Sequence, residues 1–205
     1  DQLEIRDDKK GKTYFAVIKK EGRSADEIAS EVITDAINNF PWAKSMRWGS
    51  GSMKWVRPLH SILCILSAED GVKTVNIEVD GISSSNMTAG HRFMSPAKFA
   101  VHSIEQYQKD LKKASVILDA QERADHIIED AKNLAFAQGL ELVEDTSLLK
   151  EVTGLVEYPV VLMGEISKEF FDLPAEVLMT SMKEHQKFFS VKNPKTNRIE
   201  KFITV

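Results

Sequence analysis

A single cysteine in 205 residues excludes a disulfide framework and a cysteine-ligated metal cluster within this sequence. Cys64 lies in the apolar run Ile62-Leu63-Cys64-Ile65-Leu66, where it reads as a small buried hydrophobe suited to a reducing cytoplasm. No apolar run is long enough to span a bilayer, and no signal peptide opens the chain, so a cytoplasmic protein without a membrane partner is expected. Neither a P-loop nor a glycine-rich dinucleotide fingerprint is present. The five histidines (His60, His91, His102, His126, His185) lack the HExxH or Cys/His spacing of a zinc site, and no nucleophile elbow surrounds a serine. No metal site and no catalytic residue is therefore assigned. Positive charge is also short: 27 Lys and Arg stand against 31 Asp and Glu, a formal charge of −4. A generally basic nucleic-acid binder is excluded, and any such surface must be a local patch. The first residues lack an initiator Met and the last read as an unfinished strand, so a piece of a longer chain is expected.

What is present is concentrated. All three tryptophans (Trp42, Trp48, Trp55) fall in or beside the stretch 46–60. Between Pro41 and His60 stand Lys44, Arg47, Lys54 and Arg57 with no Asp or Glu, a local reversal of sign. Aromatic rings interleaved with cations suit single-stranded or splayed nucleic acid, because rings stack on bases while cations meet phosphate. The competing reading is a tryptophan-rich corner of a core with solvated bases around it. A second window without acids, 83–102, holds Gly90-His91-Arg92-Phe93, where the glycine permits a close backbone approach and the His-Arg pair suits a phosphate or carboxylate. A third cluster, Lys183-Glu184-His185-Gln186-Lys187, is dense in donors and fits either a polar helix end or an RNA or protein contact.

Hydrophobic content of 42% with 28% charged residues is that of an ordinary globular protein able to form a sizeable core. Periodicity predicts a strand at 13–19 and a helix from Ser24 to Phe40, with Ser24 and Glu27 as a capping box and Pro41 as its stop. A buried strand is predicted at 59–66 and a half-exposed one at 75–79, antiparallel across a link containing Asp70-Gly71. Ser103 with Gln106 and Asp119 with Glu122 each open a helix, the second running to Gly139, with a strand at 116–118 between them. A short helix near 148–152, a strand at 160–163, a helix with Pro174 at its first position and a hairpin around 193–197 complete the chain. Without βαβ alternation or repeats, the class is α+β, with a mixed, mainly antiparallel sheet and packed helices. A strand–helix element at 1–40 followed by one domain at 41–205 is the expected division.

Six segments, in order, resemble the β subunit of bacterial heterotetrameric glycyl-tRNA synthetase. They are Phe40-Pro41-Trp42-Ala43-Lys44-Ser45-Met46-Arg47-Trp48-Gly49, Trp55-Val56-Arg57-Pro58-Leu59-His60, Gly90-His91-Arg92-Phe93, Leu149-Lys150-Glu151-Val152, Leu155-Val156-Glu157-Tyr158-Pro159-Val160 and 180–189, Thr180 to Phe189. The resemblance implies a class II enzyme of two α and two β subunits that joins glycine to tRNA-Gly. It implies that ATP and Mg2+ are bound by the α subunit, with no cofactor in this piece. It also implies a module similar to the B3/B4 region of phenylalanyl-tRNA synthetase. Arg47, Trp48, Arg57, His91, Arg92, Lys183, His185 and Lys187 are then the candidate tRNA contacts. The alternatives are a docking platform for the α subunit or other β-subunit domains and, behind it, an editing-like hydrolytic module. A glycine pocket excludes every larger side chain by size, so a second sieve is less needed.

Overall fold

The computed structural model describes every residue except Asp1, Lys9, Lys10, Lys19, Glu69 and Asp70, and not the side chains of Gln2 and Asp8. It is an α+β protein with several small, mostly antiparallel sheets and five α-helices among the described residues. The chain divides into two compact units, 1–86 and 87–205. The division expected from sequence falls elsewhere, near residue 40.

The first unit opens with an antiparallel ribbon, β1 (Gln2–Asp8) and β2 (Gly11–Val17). Only the second strand was legible in the sequence, and Lys19 of the predicted 13–19 stretch lies outside the described residues. Helix α1 (Ala25–Asn38) follows. Ser24 has the extended backbone of an N-cap, but its side chain makes no capping bond. The expected box is not formed; the Glu27 carboxylate lies near Arg23 (3.9 Å), which also pairs with Glu31 (2.6 Å). The inner stripe of α1, Ala29, Ile33 and Ile37, packs on Val75, Ile77 and Val79, and the Ser30 hydroxyl donates to the Asn76 carbonyl.

The predicted strand at 59–66 is broken into β3 (Ile62–Leu63) and β4 (Ile65–Ala68). The break at Cys64 is explained by its two bonds: its N–H donates to Ser85 and its carbonyl accepts from Val75. Strand β4 pairs antiparallel with β5 (Gly71–Thr74), a segment read from sequence as part of the link; Asp70 lies outside the described residues. The expected pairing of 59–66 with 75–79 is thus replaced by a tighter hairpin and survives only in the Val75 N–H bond to the Cys64 carbonyl. Alternation through 75–79 holds: Val75, Ile77 and Val79 are buried while Asn76 and Glu78 are exposed. Ladder pairing there is limited to β6 (Glu78–Val79) with β7 (Ile82–Ser85), turned by Asp80 and Gly81, both at positive φ. β7 also runs parallel to β3.

In the second unit β8 (Met87–Ala89) and β9 (Lys98–Ala100) form a small antiparallel pair around the 90–97 loop. Helix α2 (Ile104–Lys113) is capped as expected: Ser103 Oγ accepts from the Gln106 N–H at 3.1 Å, and Gln106 Oε1 accepts from the His102 N–H. Ser103→Ala is expected to cost about 1 kcal/mol, read as a shift in the denaturation midpoint at constant slope. The predicted strand at 116–118 is not one. Its carbonyls at Ile117 and Leu118 accept from the Arg123 guanidinium, and the Ile117 N–H donates to Glu157, which leaves no partner strand a ladder.

Helix α3 (Ala120–Ala137) begins at the Asp119 cap and closes with Gly139 at φ +67, where the Leu140 N–H returns to the Ala135 carbonyl. It is followed by β10 (Glu141–Leu142), α4 (Thr146–Leu155) and β11 (Leu162–Glu165). Then come α5 (Ala175–Ser181), a π-helical turn over Met182–Gln186, β12 (Phe189–Lys192) and β13 (Ile199–Thr204). Pro174 is the residue before α5 and not its first position. The sheet order β10-β12-β13-β11 buries Phe189, Val191 and Ile203 against Ile127, Ala131 and Ala135 of α3 and Leu148 and Val152 of α4. Among the described residues no helix is long and apolar enough to cross a membrane.

Candidate nucleic-acid interface

The eight candidate residues divide between the units, and each group has its own geometry. In the first unit, paired bonds between Met46 and Trp55 (2.8 and 3.2 Å) close a loop whose tip carries Gly49 at φ +57. Arg47 and Trp48 lie within the loop and Arg57 just beyond it. Behind them sits an aromatic cluster: Phe40 to Trp42 at 4.4 Å, and Trp42 edge-on to Trp55 at 4.9 Å. Trp48 is half-buried and, among the described residues, stacks on no ring of this cluster. The Trp42 Nε1–H is buried without an acceptor among the described residues, an arrangement that folded proteins seldom keep.

Lys44, Arg47, Lys54 and Arg57 are all exposed. Arg57 donates only to the neighbouring Val56 carbonyl, and Arg47 has no side-chain partner among the described residues. The window that is free of acids in sequence is not free of them in space. A Cβ on Gly51 would stand 2.2 Å from the Asp80 carboxylate, so one negative group lies against this loop.

In the second unit, the 90–94 turn is clamped from beneath. The His91 N–H donates to the Ala114 carbonyl at 2.8 Å, and a Cβ on Gly90 would lie 2.3 Å from the Ala114 Cβ and 2.6 Å from that carbonyl oxygen. The close approach expected of Gly90 is therefore made to the protein's own backbone. His91 Nδ1 accepts from the Phe93 and Met94 N–H groups, both at 3.2 Å, which leaves the imidazole proton on Nε2. Arg92 lies over the Phe93 ring at 5.6 Å, and that ring is 80% exposed. Phe93 was not singled out from sequence. An aromatic immediately after an exposed cation in a tight turn is the signal that marks it.

Lys183 and Lys187 are held within the fold. Lys183 Nζ lies 2.6 Å from Asp145 and 3.0 Å from Ser147 Oγ. Asp145 in turn caps α4 through the Leu148 N–H at 2.9 Å, and these bonds, the Lys183 ammonium foremost, hold its carboxyl well below the usual carboxylate range. Lys187, in the left-handed conformation at φ +60, pairs with Glu151 of α4 at 3.0 Å. The two lysines thus strap the π-helical turn to α4, while His185 between them stays exposed.

Among the described residues no three His, Cys, Asp or Glu side chains converge to hold a metal ion, and burial pushes the Cys64 thiol up, away from its nucleophilic form. A groove of about 540 Å3 is walled mainly by Phe170, Leu173, Val177, Met182, Phe188 and Phe202, with Glu165 and Gln186 at its polar margin.

The family model described as glycyl-tRNA synthetase beta subunit matches residues 1–205. The glycine–tRNA ligase beta subunit of Ruegeria sp. (strain TM1040) is 65% identical over all 205 residues, which make up 30% of that relative. Those of Dinoroseobacter shibae and Paracoccus denitrificans are 59% and 60% identical, again across the whole chain and across 28% and 30% of their own lengths. The chain spans about 30% of the length of the curated relatives it matches.

Proposed function

Because the chain belongs to the glycyl-tRNA synthetase β-subunit family, we propose that it serves glycine–tRNA ligase by helping to hold tRNA-Gly, in an α2β2 enzyme located in the cytoplasm. The observation that carries the reading is the 90–94 turn. It presents a stacking ring (Phe93), a guanidinium (Arg92) and an imidazole N–H (His91) on a backbone fixed by the Gly90–Ala114 contact. A ring for a base beside a cation for phosphate is the minimal equipment for unpaired nucleic acid. In the first unit Arg47, Arg57 and Trp48 extend the same chemistry, with Phe40 as an exposed ring of the cluster behind them. In the second unit His185 is exposed and available as a further donor, whereas Lys183 and Lys187 act chiefly by positioning the 182–187 turn.

ATP and Mg2+ belong, on this proposal, to the α subunit. No step of adenylate formation is assigned to the described residues. The small antiparallel sheets with packed helices support a likeness to the B3/B4 module of phenylalanyl-tRNA synthetase.

The test is tRNA binding by the full β subunit with its α subunit across a salt series. Arg92→Ala and Arg47→Ala are each expected to lower the log–log salt slope by about 1. Phe93→Ala is expected to weaken binding about tenfold with the slope unchanged, as loss of one stacked base does. Unchanged affinity and slope in all three variants would move these residues from tRNA contact to fold or interface.

A further inference from the structure

The two units differ sharply in how much core they have. Eighteen apolar residues are buried among those described; fifteen belong to the second unit and only Val75, Ile77 and Val79 to the first, which runs to Asn86. A domain of that length needs a larger core to offset its chain entropy.

The apolar side chains that would build one are present and uncovered. In the β1–β2 ribbon, Leu3 pairs with Ala16 and Ile5 with Tyr14, so all four lie on one face. Leu3 is 75% exposed, Ile5 56% and Tyr14 69%. The opposite face is mixed, with Arg6 paired to Glu4 and lying over the Phe15 ring. A lone two-stranded ribbon is at best marginally stable in water, and an exposed apolar ribbon is an aggregation hazard. Helix α1 repeats the pattern. Its inner stripe is used on Val75 to Val79, yet Ile28, Val32 and Ala36, spaced four apart, form a second stripe that is exposed, Val32 at 59%.

We propose that the Leu3–Ile5–Tyr14 ribbon face and the Ile28–Val32 stripe are covered by polypeptide of the same β subunit outside these 205 residues, which supplies the missing layer of the first unit's core. Leu3, Ile5, Ala16 and Tyr14 form an uncharged patch that ends at the exposed Asp7–Lys12 pair, and Ile28, Val32 and Ala36 are likewise uncharged, which suits a core layer better than a transient docking site. Most of a relative's length lies outside the matched region, so ample chain exists to provide the layer. A segment on the same polypeptide acts at millimolar effective concentration and is present while the unit folds, whereas a second subunit arrives only after folding. The inference rests on family membership and is independent of the tRNA contacts proposed above.

The test is amide hydrogen exchange on the full-length β subunit without its α subunit, with strands β12 and β13 as the internal reference. Covered faces predict that amides of residues 2–8, 11–17 and 25–38 exchange at least about 100-fold more slowly than an open ribbon, approaching the reference strands, at every protein concentration. Fast exchange in the subunit alone and after addition of the α subunit would show the faces to be free surface. Protection that appears only with the α subunit, or only at high concentration, would assign them to the α subunit or to a second copy. Each of those three results overturns the proposal.

Discussion

Gly90→Ala is expected to destabilise the second unit by about 3 kcal/mol, the upper part of the range for overpacking a fixed site. The added Cβ would meet the Ala114 Cβ at 2.3 Å and the Ala114 carbonyl oxygen at 2.6 Å, and one of those atoms is backbone. Neither partner has room to yield. Ala114 closes α2, its N–H bonded to Asp110, and its carbonyl is the acceptor for the His91 N–H. Relief must therefore stretch the bond that seats the 90–94 turn. Ala114→Gly in the same chain removes the Cβ contact and leaves the carbonyl one, so it should restore less than half of the loss. Urea denaturation of the single and double variants reads both effects. A Gly90→Ala variant as stable as the parent would show that the turn can lift off α2 without cost.

The same residue shows where sequence reading succeeds and where it stops. That a glycine before His91-Arg92 permits a close approach is legible from its missing Cβ. What approaches is not, because Ala114 lies 24 positions along the chain. Helices with local caps were legible for the corresponding reason: Ser103–Gln106 and Asp119–Glu122 form their bonds within three residues. Ser24–Glu27 has the same spelling, yet Ser24 makes no capping bond and the Glu27 carboxylate lies beside Arg23 instead. At 116–118 the apolar run Val116-Ile117-Leu118 reads as a strand, but Arg123 occupies the Ile117 and Leu118 carbonyls from the first turn of α3. The short ribbon strand at Leu3 and Ile5 went unread because an alternation of two apolar residues is too brief to count. Within the candidate interface, the interleaving of cations and rings was visible, but the partners of Lys183 and Lys187 were not. Asp145 is 38 residues from Lys183, and nothing in the Lys183–Lys187 pentapeptide announces it.

Asp145→Ala is expected to cost about 2 kcal/mol, the high end for a lost N-cap, because the same carboxylate also holds Ser147 and Lys183. Asp145→Asn keeps a capping oxygen and loses the charge, so it should recover most of the cap and little of the strap. The pH dependence follows from the direction of the shift. Asp145 is held below its ordinary value in the folded protein, so its contribution is fully present above the unfolded carboxylate value of about 4. It is lost as pH falls below that value and on through the lower folded one. Thermal unfolding of the parent should therefore lose stability below pH 4 more steeply than the Asp145→Asn variant. Lys183→Ala tests the same strap from the other end. If the lysine positions the 182–187 turn, the variant melts earlier while the salt slope of tRNA binding stays as in the parent. A slope reduced by about 1 with unchanged melting would instead place the Lys183 ammonium on phosphate, and the Asp145 pairing would then be the resting partner that tRNA displaces.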